Sequence, residues 1–150
     1  MRVLTAGTYR FDQIEIGDRI EAGSVVVSVD MIDGFAELSG DRFAIHMDKE
    51  AAQSLGFEDR VAHGLLVLSL VDGLKNQAEA QLAAVASLGW DWKFERPVLA
   101  GDDILVEITV TGKRETKRAE RGIAMLAFEV RNQRGEIVQS GQNKLMMVRG

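Results

Sequence analysis

Two hydrophobic patterns divide the chain into regions of different predicted structure. Residues 18–29, DRIEAGSVVVSV, are rich in valine and follow a glycine, which is typical of a β-strand after a turn. Residues 65–86, LLVLSLVDGLKNQAEAQLAAVA, predict a long helix. The first half of this helix is apolar on nearly every side and the second half is amphipathic, so we expect its first half to be buried on several sides.

Two short helices are predicted between the first strand and the long helix. Asp30 is a candidate N-cap for a helix over residues 31–38, which Gly40 would end. Asp48 is a candidate N-cap for a second helix that continues to Leu55. The segment between them is predicted to be a loop.

The rest of the chain is predicted to form strands. Their expected bounds are residues 89–96, 104–111, 123–131 and 137–148. The segment NQRG at 132–135 is typical of a hairpin turn between the last two. Strands that follow one another in this way predict an α+β fold with an antiparallel sheet wrapped around the long helix. A chain of 150 residues is expected to form a single domain over residues 1–150.

Composition excludes several classes of function. With 46% hydrophobic and 27% charged residues the chain resembles an ordinary globular protein. The absence of cysteine excludes disulfides, thiol nucleophiles and cysteine-based zinc sites. A net charge of −5 argues against a nucleic-acid partner. The chain start lacks the pattern of a signal peptide, and the apolar run at 65–71 is far shorter than the roughly 20 residues of a membrane span. We therefore expect a cytoplasmic protein without a membrane partner.

The predicted loop holds one of only two histidines, His46, five residues after Asp41. A carboxylate can accept a proton, and a histidine can donate or relay one near neutral pH. Such a pair can add water to an activated double bond or remove it. The alternative is that Asp41 caps the turn and that His46 has only a structural role, and the spacing alone leaves this open.

The second histidine precedes the long helix, in RVAHGLL. His63 and Gly64 lie at or near the helix N-terminus, where backbone N–H groups lack partners and negative charge is stabilised. This end could bind a carbonyl oxygen that becomes enolate-like during a reaction, and Gly64 would let a ligand approach closely. An ordinary helix start capped by His63 is the alternative.

The residue types suggest two further kinds of site. Histidine and carboxylate side chains are suitable metal ligands, but Asp41, His46, Asp48 and His63 lack the spacing of the familiar helical zinc motifs. We therefore predict no metal site. The basic segment GKRETKRAERG at 112–122 could contact phosphates, although an exposed hairpin is the favoured interpretation.

Three motifs in order resemble the MaoC-like dehydratases, the (R)-specific enoyl-CoA hydratases. FAELSGDRFAIHMDKEAA with GFEDRVAHGLL resembles the family's FAxLSGDxNPxHxD and GxxxxxAHG. The family's F-x-x-PV-x-x-GD is matched from Phe94 to Asp102, and its opening F-x-x-[IVL]-x-x-G from Phe11 to Gly17. The resemblance covers about residues 11–147 and implies a hot-dog fold, whose strand order is the one predicted above.

The resemblance implies roles for individual residues. The family's catalytic pair corresponds to Asp41 and His46, and its oxyanion-binding amide to Gly64, with His63 beside it in the binding site. The family hydrates 2-enoyl thioesters of coenzyme A without a metal or an organic cofactor, and its acyl chain lies beside the long helix. A small hydroxyl residue of several hydratases corresponds to Asp72, which we predict to face the substrate, although pairing with Lys75 or Asn76 at an exposed helix edge is the alternative.

The sequence departs from the family motif at one place beside the proposed catalytic pair. Phe43-Ala44 replaces the family's Asn-Pro, which removes a turn-forming amide and a rigid φ. This change makes a non-catalytic acyl-CoA-binding module one alternative function. A hot-dog acyl-CoA thioesterase is another, although the retained Asp41 and His46 pair argues against it. We also predict at least a homodimer, because a hot-dog protomer leaves the end of its sheet available for a second copy.

Overall fold

Strands make up more of the computed structural model than helices do, and the model describes residues 1–150. The strands are β1 (Gly7–Tyr9), β2 (Arg19–Val26), β3 (Ala80–Leu82), β4 (Ala84–Phe94), β5 (Asp103–Glu115), β6 (Arg121–Arg131) and β7 (Ile137–Val148). The helices are α1 (Val29–Ser39), α2 (Ala44–Met47), α3 (Lys49–Ser54) and α4 (Gly64–Gln77), with a 3₁₀ turn at Phe11–Gln13. None of the helices is long and apolar enough to cross a membrane.

The main sheet is antiparallel and has the strand order β2-β5-β6-β7-β4. Alternate residues of its central strands are buried, as expected for a sheet with one covered face. On β5 and β6 these are Ile104, Val106, Ile108, Val110, Ala124, Leu126, Phe128 and Val130. They share one hydrophobic core with Leu66, Val67 and Val71 of α4. The predicted α+β arrangement of one long helix against an antiparallel sheet is confirmed.

The prediction of the long helix was wrong at its C-terminal end. The helix ends at Gln77 rather than near Ala86, because Ala78 is extended and the following residues form β3 and β4. The alanine-rich segment 78–86 has good helix propensity. Its pairing with strands β1 and β7, which are distant in sequence, outweighs that preference.

The two short helices are confirmed, with one error at a cap. Helix α1 begins two residues earlier than predicted, because Ser28 rather than Asp30 is the N-cap and accepts the hydrogen bond from the Met31 N–H. Asp48 caps α3 as predicted and accepts from the Glu50 N–H. The intervening segment is not entirely a loop, since α2 contains His46.

The β5–β6 and β6–β7 hairpins agree with the predictions from the sequence. Strand β7 has the predicted bounds, and Gly135 has a φ of 76° in the turn before it. The basic segment forms the β5–β6 hairpin, whose tip at residues 116–120 is mostly exposed. This agrees with the favoured interpretation of the segment as a surface hairpin.

Strand β4 forms one edge of the main sheet. It pairs with β7 on one side, and most of its residues are exposed. Val85 and Leu88 are among the exposed apolar residues of this strand. A long edge strand with exposed apolar side chains can pair with another strand.

Candidate active site

The end of α1 places Asp41 at the start of a tight turn. Gly40 ends the helix with a φ of 80°, a conformation that glycine adopts without strain. The Oδ1 atom of Asp41 then accepts a hydrogen bond of 3.1 Å from the Phe43 N–H. This bond preserves a turn although Phe43 replaces the family's asparagine. Asp41 therefore caps the turn with one oxygen while its Oδ2 atom faces His46.

His46 lies on the short helix α2 and is nearly buried, with 11% of its side chain exposed. Its Nδ1 atom lies 2.6 Å from the carbonyl oxygen of Val61. Because a carbonyl only accepts, Nδ1 carries the proton of this bond. The opposite nitrogen, Nε2, lies 3.8 Å from Oδ2 of Asp41. In the neutral ring, Nε2 is therefore an acceptor that faces a carboxylate.

His63 connects the Asp41 turn to the start of α4. Its Nε2 atom donates to the backbone carbonyl of Asp41 at 2.8 Å, and its ring is stacked on the ring of His46 with centroids 4.0 Å apart. Phe35 of α1 packs against it at 4.9 Å. The Nδ1 atom of His63 is buried without a hydrogen-bond partner. The sequence predicted that His63 lies beside the ligand. In the structure it contacts both members of the proposed acid–base pair, through the Asp41 carbonyl and the His46 ring.

Gly64 is the first residue of α4, with His63 at the N-cap position. A cavity of about 240 Å³ opens beside it, and its lining includes Gly64, His46, Val61, Phe94 and Gln139. The proposed catalytic histidine and the proposed oxyanion-binding residue therefore share one cavity. Val61 occupies an unspecified position of the GxxxxxAHG motif and Gln139 lies outside the motifs, so no local pattern indicates a role for either residue.

Asp72 lies elsewhere on α4. Its Oδ1 atom is 3.2 Å from Nζ of Lys75, and 43% of its side chain is exposed. That oxygen makes no well-oriented hydrogen bond, so the contact is an ion pair without hydrogen-bond geometry. Asp72 does not line the cavity beside Gly64. In this protomer the pairing with Lys75 is present, and a role toward substrate stays a prediction.

Three of the four potential metal ligands come together. Ligand atoms of Asp41, His46 and His63 lie within 4.8 Å of one another, whereas Asp48 is occupied in capping α3. The ring nitrogens that already donate to the Val61 and Asp41 carbonyls cannot also bind a cation in that tautomer. The opposite nitrogens, Nε2 of His46 and Nδ1 of His63, keep free lone pairs that can accept a proton or coordinate a cation. The absence of a metal site therefore stays a prediction.

The geometry between Asp41 and His46 suits a bound water molecule. Two acceptors separated by 3.8 Å can both receive hydrogen bonds from one water, which has two hydrogens to donate. His46 and Gly64 line one cavity, so a ligand there can approach both the histidine and the N-terminus of α4, where negative charge on a ligand is stabilised. The arrangement can hold and activate water next to a carbonyl compound.

Comparisons with known proteins agree with the motifs. The (R)-specific enoyl-CoA hydratase of Aeromonas caviae is 36% identical over 110 residues, which cover 72% of this chain and 77% of that protein. A solved structure described as a monoamine oxidase regulatory protein from Archaeoglobus fulgius has a TM-score of 0.88 and 31% identity, and covers 98% of this chain and 99% of that one. A Mycobacterium tuberculosis protein described as a double hot-dog fold has a TM-score of 0.83 at 21% identity, over 95% of this chain and 45% of that one.

These likenesses confirm the hot-dog fold that the motifs implied. The family model described as "MaoC like domain" matches residues 12–130, which include most of the main sheet and the residues Asp41, His46, His63 and Gly64. The chain therefore belongs to the MaoC-like domain family.

Proposed function

We propose that the protein is a hydro-lyase that adds water to a 2-enoyl thioester of coenzyme A, or removes it from the 3-hydroxyacyl thioester. The observation that carries this proposal is the distance of 3.8 Å between two acceptors, Asp41 Oδ2 and His46 Nε2, which one water can bridge. His46 also lines a cavity with Gly64. The likeness to a relative named (R)-specific enoyl-CoA hydratase supports it.

The proposed reaction uses the two side chains as an acid–base pair. Asp41 and His46 hold a water whose oxygen bonds to Cβ of the enoyl group while one of its protons passes to the pair. A proton from the pair is then delivered to Cα, so that H and OH have been added and the pair is restored. General acid–base catalysis of this kind needs no metal or organic cofactor, and none is proposed.

The Gly64 end of α4 is proposed to bind the thioester oxygen. As Cβ is attacked, negative charge develops on this oxygen, and a fixed backbone N–H stabilises the charge without reorganisation. The unpaired N–H groups of the first helical turn are aligned for this purpose. Gly64 has no side chain that would keep the thioester away from the backbone.

The proposed assembly is a homodimer. The free edge of β4 with exposed Val85 and Leu88 supports pairing with a second copy. A cytoplasmic location is proposed with it, because coenzyme A thioesters are substrates of the cell interior and a chain without cysteine gives no sign of an oxidising compartment.

A panel of 2-enoyl-CoA compounds of different chain length and polarity tests the function. The purified protein should convert at least one of them to the 3-hydroxyacyl thioester, seen by mass spectrometry as the gain of one water. Release of free thiol without hydration would instead indicate a thioesterase. Binding without turnover across the panel would indicate a non-catalytic acyl-CoA-binding module and overturn the proposal.

A further inference from the structure

A buried amide on β7 contacts the helix end that we propose to bind the thioester oxygen. Gln139 is 2% exposed. Its Nε2 atom donates to the carbonyl oxygen of Gly64 at 3.2 Å, and its Oε1 atom accepts from the indole N–H of Trp92 at 2.7 Å. An indole N–H only donates and a carbonyl only accepts, so a single orientation of the amide satisfies both partners.

Phe94 contacts the same glycine from the neighbouring strand. Phe94 and Gln139 are register partners on β4 and β7. The Phe94 ring occupies the space that a side chain on Gly64 would need, with ring carbons 2.5 Å from the ideal Cβ position. Two adjacent residues of the sheet therefore hold Gly64, one at its Cα and one at its carbonyl.

We propose that Gln139 is a positioning residue that fixes Gly64, the first residue of α4, relative to the acid–base pair. The inference rests on the proposed function, because it assumes that the Gly64 N–H receives the thioester oxygen. Gly64 and His46 line the same cavity, so a shift of Gly64 would change the distance between the proposed oxygen-binding N–H and the catalytic histidine. Misplacing a catalytic group by about 1 Å can cost about 100-fold in rate.

The Gln139→Glu variant separates positioning from simple stability. A glutamate keeps the shape and can still accept from Trp92, but it places an acceptor against the Gly64 carbonyl. We expect kcat to fall about tenfold while KM changes by less than about twofold, because the transition-state interaction is weakened more than substrate binding.

Asn143→Asp is the matched control. Asn143 is a fully buried amide on the same strand and it also bonds to the β4 region, through Ser87 and the carbonyl of Gly89. It does not line the cavity. The folded control protein should keep a kcat close to wild type. Trp92→Phe provides a second variant without a new charge, and it should lower kcat by about threefold through the loosened amide.

The amide resonance of Gly64 in an ¹⁵N–¹H spectrum supplies a readout that does not depend on activity. Gln139→Glu should shift this resonance, and Asn143→Asp should leave it in place. The proposal is overturned if Gln139→Glu keeps both the wild-type kcat and the Gly64 resonance, or if the control shows the same changes. A wild-type protein that hydrates no thioester contradicts the proposed function instead, and the resonance then still decides whether Gln139 positions Gly64.

Discussion

The imidazole rings of His46 and His63 lie nearly parallel, with their centroids 4.0 Å apart and their planes at 27°. Each ring also donates a hydrogen bond to a backbone carbonyl that is close in sequence to the other histidine. His46 donates to the carbonyl of Val61, and His63 donates to the carbonyl of Asp41. The turn after α1 and the start of α4 are therefore held together reciprocally, which orients both members of the proposed acid–base pair.

Replacing either member of the pair should abolish most of the activity. We expect Asp41→Asn and His46→Gln each to slow hydration by about 10²–10⁴-fold, because proton transfer to and from the bound water is lost. Steady-state kinetics on the substrate identified in the panel measures this, with circular dichroism to verify folding.

Asp48→Asn is the control for these two variants. Asp48 lies in the same region of the chain but only caps α3, and asparagine caps a helix about as well. Its activity and stability should match wild type. Wild-type activity in a folded Asp41→Asn protein would remove Asp41 from the mechanism.

Alanine substitution at two glycines of α4 should have different effects, a loss of activity at Gly64 and a gain of stability at Gly73. A Cβ on Gly64 would overlap the Phe94 ring, so Gly64→Ala should displace the helix end and lower activity by at least about tenfold. Around Gly73 the nearest atom is the Gln77 side chain at 3.8 Å, so Gly73→Ala should raise stability by about 0.5–1 kcal/mol. Urea unfolding and turnover distinguish the two, and equal effects at both sites would contradict the close packing at Gly64.

The Asp72→Ser variant tests the two roles considered for this residue. Its partner Lys75 is largely buried, with 10% of its side chain exposed, so removing the carboxylate should destabilise the protein by about 1 kcal/mol. If the ion pair is its only role, activity on every substrate of the panel should be unchanged. A change in substrate preference would instead support contact with the acyl group.

The edge of the sheet should control assembly. We expect sedimentation to show a dimer at micromolar concentration, and Leu88→Lys on β4 to shift it toward monomer, because a lysine on an edge strand opposes strand pairing. Leu105→Lys is the control, since Leu105 is similarly exposed but lies on the internal strand β5. A wild-type monomer, or equal dissociation of both variants, would contradict assembly through β4.

One buried carboxylate should make stability depend on acidic pH. Hydrogen bonds from Arg2, together with one from the Glu15 N–H, lower the pKa of Asp18. The stabilisation is complete above the unfolded pKa of about 3.9 and is lost as pH falls through the lower folded pKa. Asp18→Asn should therefore cost about 2 kcal/mol at pH 7 and less at pH 3, measured by urea unfolding at both values. An equal cost at both pH values would show that the charge is not involved.

Local signals in the sequence determined much of the fold and of the candidate site. The cap at Asp48, the turn glycine at position 135 and the bounds of β7 can each be predicted from neighbouring residues, and all three agree with the structure. The motif around Asp41 and His46 is likewise local. Such features are encoded in a few consecutive residues, and they can be predicted before any tertiary contact is known.

Contacts between residues distant in sequence determine the features that local patterns did not predict. The end of α4 at Gln77 and the strand at Ala80–Leu82 depend on pairing with Gly7–Tyr9. No pattern in the neighbouring residues predicts this pairing. Gln139 reaches Gly64 from a position 75 residues away, and only the sheet register places it there. Local propensities differ by less than about 1 kcal/mol per residue for most residue types, so hydrogen bonds and packing with distant residues outweigh them.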